Sequence, residues 1–382
     1  MKICFLAGAN SLHSYRWIRF FADKGHDVHW VSLYRLSLDE YGLNLSSVRN
    51  LSYYEMIPPL TTPLTPFLVP RLTNIFRIFS AVKWLRGLLR DINPDLLHVH
   101  SVGIYGLAAA MSGFHPIIAT AWGSDVLVGG RSRIKRSLVK YILNRADMIT
   151  CDADHMIDAM ERLGIERGKI RLIYFGIDTD RFRPERRNEN IRERLGIFNS
   201  QAVISLRGLF SPIYDIESVI KAVPYVLKEV TTAKFVIVGT GPLDASLKSL
   251  AESLGVSGNI NFIGKIPDSD LPEILASMDV YISTSLSDAG IASSTAEAMA
   301  CGLPVVITDF GDNSKWVKDG EGGFIVPLKN PMTLAEKIIY LLKEKAKRKT
   351  FGAVNRATIM DKNDYFKEMT RMERIYEEIT KI

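Results

Sequence analysis

At 382 residues the chain is too long for one comfortable hydrophobic core and fits two domains of about 150–200 residues each. With 47% apolar and 24% charged residues and no low-complexity tract, the composition excludes a disordered or fibrous chain. A net charge of +6 favours anionic partners (nucleotide, phospholipid surface or nucleic acid) without choosing among them.

The opening "MKICFLAGANS" has too short an apolar part for a signal peptide and reads as a first β-strand. No run of about 18 apolar residues occurs, so no membrane-spanning segment is expected. After "KICFLAG" comes a helical pattern containing "YRWIRFFADKG", then a second strand, "HDVHWVSL". Residues 67–90 place Leu72, Ile75, Phe76, Phe79 and Val82 at helical spacing, with Trp84 nearby and Arg71, Arg77, Lys83, Arg86 and Arg90 at the other positions. That pattern fits a basic amphipathic helix lying on an anionic membrane, and equally a helix whose apolar stripe faces the core. "DLLHVHS", "HPIIATAWG", "DMITCDA" and "IRLIYFGID" are further brief strands, each ending near Gly, Ser, Asp or Thr. Strand–helix alternation of this kind predicts a parallel sheet covered on both faces.

Residues 181–196, "RFRPERRNENIRERLG", are charged and poor in apolar side chains, as an interdomain linker would be. The alternation then restarts with strands "AVISLRG", "KFVIVGTG", "INFIG", "DVYISTS", "PVVITDFG" and "GGFIVP". The expected fold is therefore α/β, two doubly wound Rossmann-like domains. The first spans 1–183, the second 184–364, and a last helix of about 365–382 packs back on the first. Ligands of open parallel sheets bind beyond the carboxyl ends of the strands, so two such domains facing one another would form a cleft.

Cys4, Cys151 and Cys301 lie far apart in apolar or small-residue settings and read as buried thiols of a reduced, cytoplasmic protein. Asp-x-Asp strings at 152–154, 178–180 and 268–270 lack further ligands beside them and read as loop or cap residues, so no metal site is expected. The basic residues are not grouped with base-stacking aromatics in a known module, which argues against a nucleic-acid partner.

The most informative stretch is Ser287 to Gly302, "SDAGIASSTAEAMACG", at the carboxyl end of the strand "DVYISTS". Gly290, Ile291, Ala292, Ser293, Ser294 and Thr295 offer amides with little steric cover and lead into a helix N-terminus, a ready anion site. Tight strand–helix packing with Ser293 or Ser294 as N-cap explains the same residues without a ligand. Glu297, read as lying in the first turn, is surrounded by apolar and small residues and calls for a specific partner.

Here the sequence resembles the retaining nucleotide-sugar glycosyltransferases of family 4, the group 1 glycosyl transferases of GT-B fold. Those enzymes carry two glutamates eight positions apart, followed by Ala-Met-Ala-x-Gly-x-Pro-Val-Val. "VGTGPLDASLKSLAESLG", "NFIGKIPDSDLPEIL", "GDNSKWVKDGEGGFIVP" and "RLIYFGIDTDRFRP" also look like family segments, and the resemblance covers essentially the whole chain. It implies that Glu297 holds the donor ribose, that the amides of 291–295 hold the diphosphate, and that Arg207 pairs with that diphosphate. It also implies that Gly8 and Ala9 let the first loop approach a phosphate from the opposite wall, with Asn10, His13 and Ser14 at the cleft mouth on the acceptor side.

The implied reaction is retaining transfer of a hexose or N-acetylhexosamine from a nucleoside-diphosphate sugar to a glycan or lipid-linked acceptor, without metal or other cofactor; the membrane reading of 67–90 would set this cytoplasmic enzyme at the inner face of a membrane. Such transfer is generally explained by front-face attack, with the departing diphosphate helping to take the acceptor proton. Stabilising that leaving group and positioning the acceptor are then the protein's main work.

Three departures stand out. Ala289 occupies the first family glutamate's position, so either Asp288 substitutes from one residue away or Asp288 is a turn residue. Pro212 stands where the family has a lysine, leaving Arg207 as the matching cation; Lys265 either supplies the second charge or is simply exposed. Trp122 replaces a histidine, and with Gly123 would contact sugar or acceptor by stacking. Asp125 is then either the nearest polar contact for sugar hydroxyls or a helix cap. His13 is either an acceptor ligand or a cap of the first helix. A sugar-nucleotide 2-epimerase and a non-catalytic nucleotide-binding subunit are the competing readings.

Overall fold

The computed structural model describes residues 1–9, 11–33, 45, 48–56, 70–127, 133–286 and 290–381, apart from the side chains of 12, 70–77, 124 and 207–209. Asn10, Asp288 and Ala289 therefore lie outside the described residues, as does the beginning of the 67–90 segment. The chain divides into two compact units, Met1–Tyr174 with Glu368–Ile382, and Phe175–Lys367.

The first unit is built on seven parallel strands: β1 (Lys2–Leu6), β2 (Asp27–Ser32), β3 (Leu51–Glu55), β4 (Leu96–His100), β5 (Ile117–Ala121), β6 (Met148–Cys151) and β7 (Ile170–Leu172), in the order β3-β2-β1-β4-β5-β6-β7. Every residue of β4, β5 and β6 is buried, as both faces of a helix-covered parallel sheet require. β3 is absent from the sequence expectation. It is an edge strand whose five residues are all half-buried, so it shows neither an apolar run nor a clean alternation.

The second unit has six parallel strands: β8 (Gln201–Leu209), β9 (Ala233–Thr240), β10 (Ile260–Gly264), β11 (Val280–Ser283), β12 (Val305–Thr308) and β13 (Gly323–Val326), in the order β10-β9-β8-β11-β12-β13. Its core joins Val203, Phe235, Ile237 and Ile282 of the sheet to Val219 and Val223 of helix Ile216–Glu229 and to Ile338 and Leu342 of helix Pro331–Lys343.

Residues 181–196 are not a linker. They fold into the second unit, because helix Glu189–Arg194 buries Arg192 to 3% exposure. Its guanidinium donates to the carbonyls of Ser277 (2.6 Å), Ile197 (3.1 Å) and Ser200 (2.5 Å), which makes burial of the charge tolerable. The boundary between units falls at Tyr174/Phe175 instead of 183/184. Gly176 and Ile177 donate their amides to the Asn363 side chain and carbonyl, and Arg356 donates to the carbonyls of Thr179 and Phe182.

Helix Tyr365–Thr380 joins the first unit from Glu368 onward. Within that unit the Tyr376 hydroxyl meets His98 Nδ1 at 2.5 Å, and Glu373 pairs with Lys24 (2.6 Å) and His26 (3.0 Å).

The 67–90 segment contributes helix Pro70–Ile92. Val82, Leu85, Leu89 and Ile92 face the core, whereas Phe79, expected in the apolar stripe, is 58% exposed. Arg86 is committed within the fold, donating to the carbonyls of Met111 (2.6 Å) and Ser112 (2.9 Å) at a helix end.

Candidate functional site

In the second sheet the chain leaves β8 toward β9 on one side and β11 toward β12 on the other. The carboxyl ends of β8 and β11 therefore flank the topological switch point, where open α/β sheets bind ligands. Arg207 and the segment running to Glu297 are brought to this one place. Arg207 itself sits at an irregularity: the β8–β9 register advances from Leu206↔Val238 to Leu209↔Thr240, one extra residue on β8. A bulge at a strand end interrupts regular pairing and re-aims the neighbouring residues, a feature common beside active sites.

The two switch-point loops are hydrogen-bonded together. Leu286 donates its amide to Ile213 O at 2.7 Å, and the Thr284 hydroxyl lies 2.9 Å from the carbonyls of both Tyr214 and Asp215. Pro212 opens the short turn Pro212–Tyr214, so the residue replacing the family lysine acts on backbone shape. Thr284 and Leu286 were not singled out in the sequence, because a threonine clamp on a distant carbonyl leaves no local pattern.

The small-residue loop feeds helix Ser293–Ala300. Its N-cap is Ala292, neither serine, and no side chain caps it. The Ser294 hydroxyl turns instead to the Tyr281 hydroxyl of β11 at 2.8 Å. The Thr295 amide donates to Ala292 O, so the run of presented amides ends before Thr295. Glu297 lies beyond the first turn and is 4% exposed, so its charge gains little from the helix end and depends on specific partners.

Behind this helix stands helix Lys345–Lys362. Arg356 donates to Ala300 O at 2.7 Å, and Asn355 donates to Leu303 O and Gly322 O, both at 2.7 Å. Gly302, at φ 74°, takes the left-handed turn after the helix, and a Cβ on Gly352 would stand 1.9 Å from Gly302 O. Gly352→Ala is therefore expected to force these backbones apart and cost about 1–3 kcal/mol. A denaturant melt with a midpoint equal to the parent's would refute that packing.

Lys265 is exposed at the end of β10. β9 separates it from β8, roughly 10 Å across the sheet, so the fold sets it apart from Arg207. Among the described residues no three His, Cys, Asp or Glu side chains are grouped as metal ligands. Asp178 accepts from the amides of Asp180 and Arg181, and Asp268 pairs with Arg181 at 2.7 Å. The three cysteines are buried thiols, and burial raises Cys4 and Cys151 to about 12.

In the first sheet the corresponding switch lies between β1 and β4. Gly8 and Ala9 follow β1, and Ser11 caps helix Leu12–Asp23, so His13 is not the cap. Ser14 is 1% exposed, not at a mouth; its hydroxyl meets Ser11 Oγ and His100 Nδ1, both at 2.9 Å. His13 stacks on Trp122, centroids 5.9 Å apart, and Trp122 meets Trp17 and His100 edge-on. His100 Nε2 is buried without a hydrogen-bond partner. Burial, reinforced by neighbouring His13, depresses His100 to about 3, so the imidazole is neutral.

Asp125 lies in the first turn of the short helix Ser124–Leu127, so it is not the cap of that helix. Its carboxylate accepts the amides of Val102 (2.9 Å), Trp122 (3.2 Å) and Val126 (3.1 Å), tying the loop after β4 to the loop after β5. Gly123, at φ 106°, makes that turn possible, and Ser101, at φ 129°, carries strain of about 1–3 kcal/mol at the end of β4. Asp125→Asn keeps the shape but puts an N–H₂ against donors. A loss of about 1–3 kcal/mol in chemical denaturation is expected, and an unchanged midpoint would contradict it.

Comparison with known proteins decides the family. Residues 187–358 match the family of glycosyl transferases group 1, and residues 2–153 match the glycosyl transferase 4-like family. The chain is a group 1 glycosyltransferase.

Curated relatives of this glycosyltransferase include N-acetyl-alpha-D-glucosaminyl L-malate synthase of Bacillus anthracis, 25% identical over 94% of this chain and 91% of that protein. Another is the GDP-mannose-dependent alpha-(1-6)-phosphatidylinositol monomannoside mannosyltransferase of Mycolicibacterium smegmatis, 27% identical over 68% of this chain and 69% of that one. Among solved structures, Anabaena HepE in complex with UDP and glucose superposes with a TM-score of 0.80 at 18% identity, covering 99% of each chain. Sucrose-phosphate synthase of Thermosynechococcus elongatus gives 0.81, also at 18% identity and 99% of each chain. The fold of the glycosyltransferase is thus GT-B, and its family 4 and retaining assignments fit.

Proposed function

We propose that this glycosyltransferase moves a hexose or N-acetylhexosamine, with retention, from a nucleoside-diphosphate sugar to a glycan or lipid-linked acceptor, without a metal. The observation that carries the donor half is the convergence at the β8/β11 switch of Arg207 in its bulge, the interlocked loops and the helix bearing Glu297. The relatives named for N-acetylglucosaminyl and mannosyl transfer, and the related structure holding UDP and glucose, support the sugar class.

In this reading Arg207 and the loop amides balance the charge growing on the leaving diphosphate, and that diphosphate helps to take the acceptor proton. Glu297 anchors the ribose. In the first unit Asp125 and the His13–Trp122 stack shape the acceptor side without transferring a proton themselves.

A thermal-shift screen over nucleoside diphosphates and their sugars tests the donor half, since a bound ligand raises stability by mass action. Failure of every nucleotide to shift the protein overturns it. Incubation of the chosen donor with EDTA and with or without acceptors then tests the chemistry. Epimerised nucleotide sugar formed without acceptor would establish the 2-epimerase reading instead, and activity abolished by EDTA would refute metal independence.

A further inference from the structure

Helix Arg133–Arg145 of the first unit buries Val139, Ile142 and Leu143 against its neighbours. On its other side Ile134 (83% exposed), Leu138 (39%) and Tyr141 (39%) form a second apolar stripe at spacings of four and three, facing solvent. Arg145 extends that stripe, its guanidinium 5.8 Å from the Tyr141 ring centroid. Arg133, Lys135, Arg136 and Lys140 are also exposed on this helix, which carries no acidic residue. Among the described residues none of these five cations is held in an ion pair.

Leaving a large aliphatic side chain such as Ile134 almost wholly in water gains a folded monomer nothing. A helix with one apolar face in the core and another that carries Arg145 and has Arg133 and Lys135 to either side suits an interface that is apolar in depth and anionic at its surface. A protein partner would have to supply acids on both flanks of one narrow stripe, whereas a bilayer rich in anionic lipid offers that arrangement at every approach.

We propose that helix Arg133–Arg145 docks this protein on an anionic membrane surface, with Ile134, Leu138 and Tyr141 entering the headgroup boundary and the flanking cations pairing with lipid phosphates. In the segment 67–90, Val82, Leu85 and Leu89 are spent on the core and Arg86 on a helix end, while the side chains of 67–77 lie outside the described residues. No helix among the described residues is long and apolar enough to cross a membrane, so such docking would be peripheral. The proposal does not depend on which sugar or acceptor the enzyme uses.

Flotation of the full chain with vesicles of phosphatidylcholine plus phosphatidylglycerol, against phosphatidylcholine alone, tests it. Binding is expected only with phosphatidylglycerol and should weaken with salt. A basic residue at such a surface multiplies binding by about fivefold, so Arg133→Gln with Lys135→Gln should reduce it by more than tenfold. Ile134→Glu should reduce it comparably. All these positions are exposed, and an unchanged thermal midpoint would show the variants folded. Two outcomes overturn the proposal: no binding to anionic vesicles, or binding that these variants leave intact. Self-association abolished by Ile134→Glu, without vesicle binding, would overturn it by assigning the face to a second copy.

Discussion

Glu297→Gln is expected to raise the KM for the sugar nucleotide about 100-fold with a smaller change in kcat, and Arg207→Met is expected to do the opposite. Glu297 is 4% exposed, so glutamine keeps its size while removing the charge and one acceptor oxygen. A carboxylate on two ribose hydroxyls binds ground state and transition state alike; losing charged hydrogen bonds of about 1.5–3 kcal/mol each then appears as weakened binding. A guanidinium on the diphosphate meets a charge that grows as the sugar–oxygen bond breaks. Its loss belongs mainly in kcat, by about 10²–10³-fold. Steady-state kinetics with donor varied at saturating acceptor separate the two. Equal effects of both substitutions on kcat would show that Glu297 does more than hold the nucleoside, and unaffected kinetics in either variant would remove that residue from the site.

A loss of stability between about pH 6.5 and pH 3 is the second large effect expected. His98 and His100 are buried on β4, and burial holds His98 well below its ordinary range and His100 at about 3. In the unfolded chain both take up protons from about pH 6.5. Across that window the unfolded state binds more protons, so stability is fully present above it and falls as pH falls. At about 1.4 kcal/mol per pH unit between the two pKa values, His100 alone accounts for on the order of 5 kcal/mol. That is a large part of a typical domain's stability.

The folded state cannot accept these protons cheaply. His98 is held between the Tyr376 hydroxyl and the Thr120 hydroxyl, and His100 lies against Phe5, Trp17 and Trp122. Thermal melts from pH 7.5 to 4.5 would measure the slope. In His98→Gln/His100→Gln the protein should be less stable at pH 7.5 but flatter in pH. An unchanged slope would assign acid sensitivity to other groups.

The strand–helix alternation was legible in the sequence because parallel strands buried on both faces, such as "LLHVH" and "IIATA", are short apolar runs with no alternation to confuse them. β3 was not, because a half-buried edge strand lacks that signature. The linker reading of 181–196 failed on Arg192, whose charge looks like solvent exposure until the carbonyls of Ser277 and Ser200, distant or out of pattern in sequence, are seen to satisfy it.

The site divides in the same way. Order along the chain put Arg207 near the end of one strand and Glu297 in the helix after another, and the family resemblance implied a diphosphate and a ribose for them. Composition, patterning and the family motifs were enough for fold class and reaction class, because these depend on local periodicity and on short contiguous segments. Strand order alone decided that β8 and β11 are neighbours at the switch point and that Lys265 stands two strands away. Long-range pairing likewise turned Ser294 toward Tyr281, buried Ser14 under His100 and spent Asp125 on three amides. Whether a polar side chain meets a ligand or a carbonyl depends on what the rest of the chain places within about 3 Å of it, and local sequence carries no record of that distance.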